Sequence, residues 1–400
     1  MDNEELHDHD QKAVARTKTT NSTKIVMAEA VQAEEVPTLP LGPMESISAL
    51  EPEIAVRSVA STPVVSMPEP LVVQPSEYHR SAGEWVQIWK DGIRPAYLPL
   101  SFMPVLLGST LAWTQTITLK APFGQFHLTH FIGTVLAVFF LQAGASLVND
   151  YYDYVYGVDT SNSLGPGGLI QQGLIKPTRI LSVGFLALAL GAIIGLIVAL
   201  RGGPFVVLFG LIGLLCAYFY SATKRSLSSL ALGELVAFII FGPLITLGAY
   251  MVQTGGIARD VLIYSIPLGL LAAAVIHVNN MRDLESDGQS NRRTIAALLG
   301  VTWGRAWFLA LVLAAYVIIL VLGIPRGAPH LILITLWTLP NLAVVASGIV
   351  RTDVSPGFHL VMEELLKLET AFGVLLAVAL IVAALIPVLP VIPFHLFNLI

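Results

Sequence analysis

Two short acidic runs carry the residues best suited to chemistry. The first reads Asn149-Asp150-Tyr151-Tyr152-Asp153, with Asp159 shortly after it. The second reads Asn279-Asn280-Met281-Arg282-Asp283, followed by Asp287. On a helix, Asp150 and Asp153 share a face, as do Asp283 and Asp287. Carboxylates packed this closely repel one another unless something positive lies between them. Oxygen donors in this arrangement suit Mg²⁺, which is typically held by one or two carboxylates and completed by water and phosphate oxygens. The expected metal ligands are Asp150, Asp153, Asp283 and Asp287, and the expected substrate group is a metal-bridged diphosphate. One such run is often only a solvated helix end. Two runs with the same Asn-to-Asp spacing (Asn149 to Asp153, Asn279 to Asp283) argue for a built site.

Basic residues fit the same reading. Arg282 lies inside the second run, Lys224 and Arg225 follow Tyr220, and Arg292 and Arg293 follow Asp287. Arginine matches phosphate oxygens in pairs and lysine serves as a point charge. For Arg292 and Arg293 a role in membrane topology is an equal alternative. The tyrosines at 151, 152, 154 and 156 suit either a cation-stabilising wall or an interfacial belt. His277 reads more readily as a satisfied core histidine than as a proton carrier. Glu234 reads as a buried polar contact or as a charge favoured by a helix N-terminus.

The elements that position these residues are apolar. The 400-residue chain is 55% hydrophobic and 12% charged, with mean hydropathy +0.74, whereas soluble domains carry roughly 25% charged residues. Apolar runs near the ~20-residue spanning length recur after residue 95, and they lack the alternation of barrel strands. The expected fold is all-α, a polytopic membrane protein with about nine transmembrane helices in a pseudo-symmetric bundle around a central cavity. The runs lie at 96–115, 129–149, 179–200, 204–221, 230–253, 261–281, 303–323, 329–350 and 369–390. Lys90, Arg94, Lys176, Arg179, Lys224 and Arg225 mark one side, together with the arginines near the second acidic run. Lys120, Arg201, Arg259 and Arg326 mark the other. The positive-inside rule puts both acidic runs on the cytoplasmic side. The long inner loops after the second and sixth spans are expected to hold them.

Residues 1–84 lack sustained periodicity and read as a disordered N-terminal tail; residues 85–400 read as one transmembrane domain. Trp85 and Trp89 in the short amphipathic stretch between tail and first span suit the bilayer interface. The lone Cys216 implies no disulfide. No phosphate-binding glycine loop follows a strand, and no nucleic acid partner is expected. A secondary transporter is the rival class, but transporters place ionisable groups at breaks within their helices.

The motifs together resemble the UbiA superfamily of intramembrane aromatic prenyltransferases, and within it the naphthoate branch. The resemblance rests on Arg94-Pro95, on Pro104 to Gly108, and on the first acidic run through Gly157-Val158-Asp159. It extends through Gly167-Gly168-Leu169-Ile170-Gln171-Gln172-Gly173, Gly233-Glu234-Leu235 and Phe241-Gly242-Pro243, Tyr250 to Gly255, and the second acidic run. It covers about residues 90 to 390. It implies transfer of a polyprenyl chain from its diphosphate to 1,4-dihydroxy-2-naphthoate with decarboxylation, giving demethylmenaquinone; a UbiA-type prenyltransferase with another acceptor, such as homogentisate, a porphyrin ring, protohaem or a glycerol phosphate, is the alternative. It also implies Mg²⁺ as cofactor and a multi-pass place in the inner (plasma) membrane. Asp150, Asp153, Asp159, Asp283 and Asp287 would be catalytic. Asn149, Asn279, Asn280, Arg282, Lys224, Tyr220, Gln171 and Gln172 would bind substrate. Gly157 stands where the superfamily's broad first motif has its last acid, delayed here to Asp159, a wider spacing similar to the naphthoate branch; Ser221-Ala222-Thr223-Lys224 departs from the Thr-Gly-Gly-Pro that naphthoate enzymes often have there.

Overall fold

The computed structural model describes residues 80–118, 126–157, 167–290, 292–325 and 329–385. The expected tail lies outside them up to residue 79, as does Asp159. The described residues form helices and no sheet; Leu230 and Arg293 make an isolated bridge.

Helix α1 (Ala82–Ile93) opens on a capping box, with Ser81 and Glu84 each satisfying the other's backbone N–H. Arg94, in a left-handed conformation, ends it. Its Trp85 ring stacks under Arg80 and Arg179 at 5.4 and 5.2 Å. A small core of Ile88, Leu147, Leu169, Ile170, Ile175 and Ile180 seats α1 on the segment after residue 167.

The remaining helices are α2 (Leu98–Thr118), α3 (Leu128–Tyr156), α4 (Pro177–Gly202), α5 (Pro204–Phe219), α6 (Gly233–Ile239) and α7 (Ile245–Thr254). They continue with α8 (Arg259–Arg282), α9 (Leu284–Gln289), α10 (Ile295–Gly323), α11 (Leu339–Arg351) and α12 (Ser355–Leu385). A wide turn at Ile240–Leu244 containing Pro243 joins α6 to α7 into one span, Gly233–Thr254. Proline has no N–H to continue the α ladder, so the helix re-registers there. Among the described residues eight helical segments are long and apolar enough to cross a membrane, and α5 is a shorter apolar helix of 16 residues. The fourth expected span, 204–221, is therefore shorter than the rest. Large apolar side chains such as Leu186, Ile193, Ile197 and Leu200 on α4 lie exposed. An apolar surface of that extent belongs against lipid.

Lipid gives no hydrophobic reason for helices to pair, so close backbone approach must do it. Glycines mark those approaches. A Cβ at Gly144 would sit 2.8 Å from the Leu188 backbone nitrogen, and one at Gly191 would sit 2.9 Å from the Leu141 nitrogen, so α3 and α4 touch along their length. A Cβ at Gly242 would lie 2.8 Å from the Gly269 Cα, locking the α6–α7 break onto α8. Gly242→Val should therefore cost about 1–3 kcal/mol and lower the unfolding temperature in detergent. Gly248, with open space around its Cα, is the control: an equal loss on Gly248→Ala would refute this packing argument.

Candidate active site

Helix α3 runs on to Tyr156, so Asn149, Asp150 and Asp153 are helical and not in the following loop. No glycine or proline interrupts the stretch from Ser146 to Tyr156. The helix ends where Gly157 takes a left-handed conformation and donates to the carbonyls of Asp153 and Tyr154. The tyrosines of this last turn pack on one another, and Tyr152 meets Tyr218 of α5, hydroxyl to hydroxyl at 3.3 Å.

The two aspartates of α3 face different partners. Asp150 is buried, and its carboxylate accepts the backbone N–H groups of Gly168 at 2.5 Å and Leu169 at 3.2 Å. Arg94 lies 3.8 Å from the same carboxylate. Both Gly167 and Gly168 have positive φ, and a Cβ at Gly167 would strike the Arg94 guanidinium. The glycines therefore let the loop close over Asp150. In that loop Gln172 donates to the Gly167 carbonyl at 3.1 Å, while both ends of the half-buried Gln171 amide lack a hydrogen-bond partner. Asp153, by contrast, accepts from Asn149 and faces Arg292, 4.0 Å away.

The second run behaves likewise. Asp283 caps α8 and is gripped by Arg282 through two bonds of 2.7 and 2.8 Å, with Asn279 donating at 3.3 Å. Asn279 also accepts from the Tyr97 hydroxyl at 3.5 Å. Asp287 sits in α9, buried. It accepts from Thr294 at 3.2 Å and lies 3.6 Å from Arg292.

Arg292 thus stands between the two runs, touching Asp153 on one side and Asp287 on the other. Burial works against its charge, but the two carboxylates outweigh that and raise its pKa further above the usual guanidinium value. Lys224, expected to serve the same centre, is exposed in the turn after α5. Asn280 is turned into a buried network, donating to Glu234 at 3.1 Å. There Glu234 also meets His277 Nδ1 at 3.0 Å, and His277 Nε2 lies 3.0 Å from the Gly304 carbonyl. A carbonyl only accepts, so Nε2 carries a proton. The Nδ1 contact then needs a second proton, on one partner or the other. This network fastens α6, α8 and α10 behind the site.

The donor set suits a hard cation: carboxylates and amide oxygens from the ends of α3 and α8 and from α9, with no thiolate. Among the described residues no three His, Cys, Asp or Glu converge on one point. An ion here would draw further oxygens from water or a phosphate, which is how Mg²⁺ is usually held.

The polar rim opens on a cavity of about 300 Å³. Arg94, Tyr97, Asn149, Tyr220 and Asn279 line its mouth. Beyond them the wall is mainly apolar, with Ser101, Gln142 and Ser146 among its few polar residues, and includes α3 back to Thr134. At 1.5 Å per residue the α3 wall alone spans ~22 Å. A slot of this length fits a linear hydrocarbon chain with a charged head at its polar end.

Residues 101–356 match the model of the UbiA prenyltransferase family. The chain belongs to the UbiA prenyltransferase family. It is similar to the 1,4-dihydroxy-2-naphthoate octaprenyltransferase of Bacillus subtilis (strain 168), at 28% identity over 72% of this chain and 91% of that one. It is also similar to the mouse UbiA prenyltransferase domain-containing protein 1 (Mus musculus), at 29% identity over 73% and 83%. Among solved structures, a UbiA homolog from Archaeoglobus fulgidus bound to GPP and Mg²⁺ superposes with TM-score 0.53, covering 74% of this chain and 99% of that one at 15% identity. The shared fold is all-helical and membrane-spanning, as the spans predict.

Replacing Asp150 by alanine should free the loop it holds, leaving two backbone donors without their acceptor at ~1–3 kcal/mol each. Hydrogen exchange across 168–175 should then speed up in Asp150→Ala and stay unchanged in Asp153→Ala. Unaltered exchange in Asp150→Ala would show that the carboxylate is not the loop's anchor.

Proposed function

We propose that this membrane prenyltransferase moves a polyprenyl chain from polyprenyl diphosphate to 1,4-dihydroxy-2-naphthoate, with loss of CO₂, giving demethylmenaquinol, the reduced form of demethylmenaquinone. The observation that carries the reading is a pair of carboxylates bridged by Arg292, set beyond Asn149 and Asn279, which line a long and mainly apolar cavity. A prenyl diphosphate has the same polarity along its length. The naphthoate acceptor is supported by the names of several relatives, including those of Bacillus subtilis and Mycobacterium tuberculosis. Residues 85–400 form the catalytic domain in this reading, and the concentration of Lys and Arg near the rim orients it to the cytoplasm at the plasma membrane.

Asp153 and Asp287, which share Arg292, are the residues that would hold Mg²⁺, with water and phosphate oxygens completing its shell. Bound there, the metal would neutralise charge on the leaving diphosphate. Arg282 and Asn279 orient the second run toward the mouth. Arg292 contributes positive charge where the departing oxygen gains negative charge. The C–O electron pair leaves with diphosphate. The allylic carbon accepts an electron pair from the naphthoate ring to form the new C–C bond, and departure of CO₂ restores the aromatic system. Tyr97 and Tyr220, at the junction of rim and cavity, offer ring faces to the developing allylic cation. The apolar wall keeps water from that cation. Asp150 serves by holding the loop over Arg94 and the mouth.

Membranes carrying the protein should transfer label from radiolabelled prenyl diphosphate to 1,4-dihydroxy-2-naphthoate in the presence of Mg²⁺, and not to 4-hydroxybenzoate or homogentisate. Asp153→Asn and Asp287→Asn should each lower the rate by about a hundredfold or more, the scale for losing a charge-stabilising group. Preferential labelling of another acceptor would overturn the naphthoate assignment. Full activity in both variants, or without divalent metal, would overturn the assignment of these carboxylates.

A further inference from the structure

Arg282 and Arg292, the arginines beside the second acidic run, are held in different ways. Arg282 is committed to Asp283 through two short bonds, 2.7 and 2.8 Å. Arg292 reaches Asp287 and Asp153 at 3.6 and 4.0 Å, beyond the ~2.7–2.9 Å of a charge-assisted hydrogen bond. Its one short side-chain bond runs to the neutral hydroxyl of Ser228, at 3.0 Å. The backbone, in contrast, is fixed. The Arg292 N–H donates to the Asp287 carbonyl at 3.0 Å, and the Arg293 N–H donates to Ser229 at 3.2 Å. The anchor is firm while the guanidinium is held mainly by the field of two carboxylates from different helices. It remains 19% exposed, so it has a way out.

We propose that Arg292 is a surrogate cation. It neutralises Asp153 and Asp287 while the site lacks metal, and it turns onto the diphosphate when metal and substrate enter. This rests on the prenyl diphosphate reading above. The charge logic is direct. With Arg292 between them, the two carboxylates offer less attraction to a metal ion arriving alone. When a diphosphate arrives with the metal, the carboxylates gain new counter-charge and the guanidinium gains a better acceptor, since its planar fork matches phosphate oxygens. Arg292 thus couples metal binding to substrate binding, discouraging one without the other. A residue that merely braced the two loops would have no such effect of opposite sign on the two ligands.

The test uses the full chain purified in detergent and two equilibrium titrations: Mn²⁺ alone, followed by its electron paramagnetic resonance signal, and farnesyl thiodiphosphate, an unreactive analogue, at saturating Mg²⁺. Arg292→Gln should tighten Mn²⁺ by about threefold or more and weaken the analogue by about tenfold or more, the scale of one lost bond to a charged group. Arg292→Lys, which keeps the charge and loses the fork, should leave Mn²⁺ near wild type and weaken the analogue by a smaller factor. If Arg292→Gln weakens Mn²⁺, or leaves both affinities unchanged while wild type binds the analogue, the surrogate role is overturned and the prenyl diphosphate reading stands. If wild type itself fails to bind the analogue, the prenyl diphosphate reading falls and takes this inference with it.

Discussion

The site depends on bringing carboxylates from two remote stretches of chain close together at the edge of a bilayer. Asp153 at the end of α3 and Asp287 in α9 repel each other, and their low-dielectric surroundings strengthen that repulsion. Arg292 is placed between them by two backbone bonds. The helices behind are fastened independently of this charge balance. Glycine contacts lock α3 to α4 and the α6–α7 break to α8, and the Glu234–His277–Asn280 network ties α6, α8 and α10 together. The walls of the site therefore hold together without relying on the charge balance at its centre.

Much of this was legible in the sequence, for definable reasons. The repeated Asn-to-Asp spacing marks the ends of α3 and α8 because the spacing is local: Asn149 and Asn279 each reach an aspartate one turn on, and both pairs are bonded. The spans were legible because lipid demands long apolar runs. Other features depend on contacts across the chain. Nothing local distinguishes Asp150 from Asp153; what separates them is a loop eighteen positions later that gives Asp150 two N–H groups. Lys224 and Arg292 look equivalent on paper, yet one is exposed and the other half-buried between acids, because the Leu230–Arg293 bridge draws the second loop inward. The α3 boundary was set too early because the acidic run looked like loop, although its breaker comes only at Gly157. His277 proved to be the satisfied core residue that the sequence favoured.

The cavity explains why such chemistry sits in a membrane protein. A polyprenyl diphosphate is nearly all hydrocarbon, and moving it through water would forfeit ~0.8 kcal/mol for each CH₂ kept from burial. On the proposed reading, a slot lined by α3, α5 and the α6–α7 segment would keep the bound chain out of water. The head needs the opposite environment, rich in fixed charge. The two requirements meet where Tyr97, Asn149, Tyr220 and Asn279 line the mouth. The reacting carbon of a bound substrate would lie at that junction, with diphosphate on the charged side and hydrocarbon on the other. Selectivity for the head and tolerance of the tail then follow from one boundary. The head is read by directed charge, whereas an apolar wall discriminates weakly among chains that differ by a few carbons.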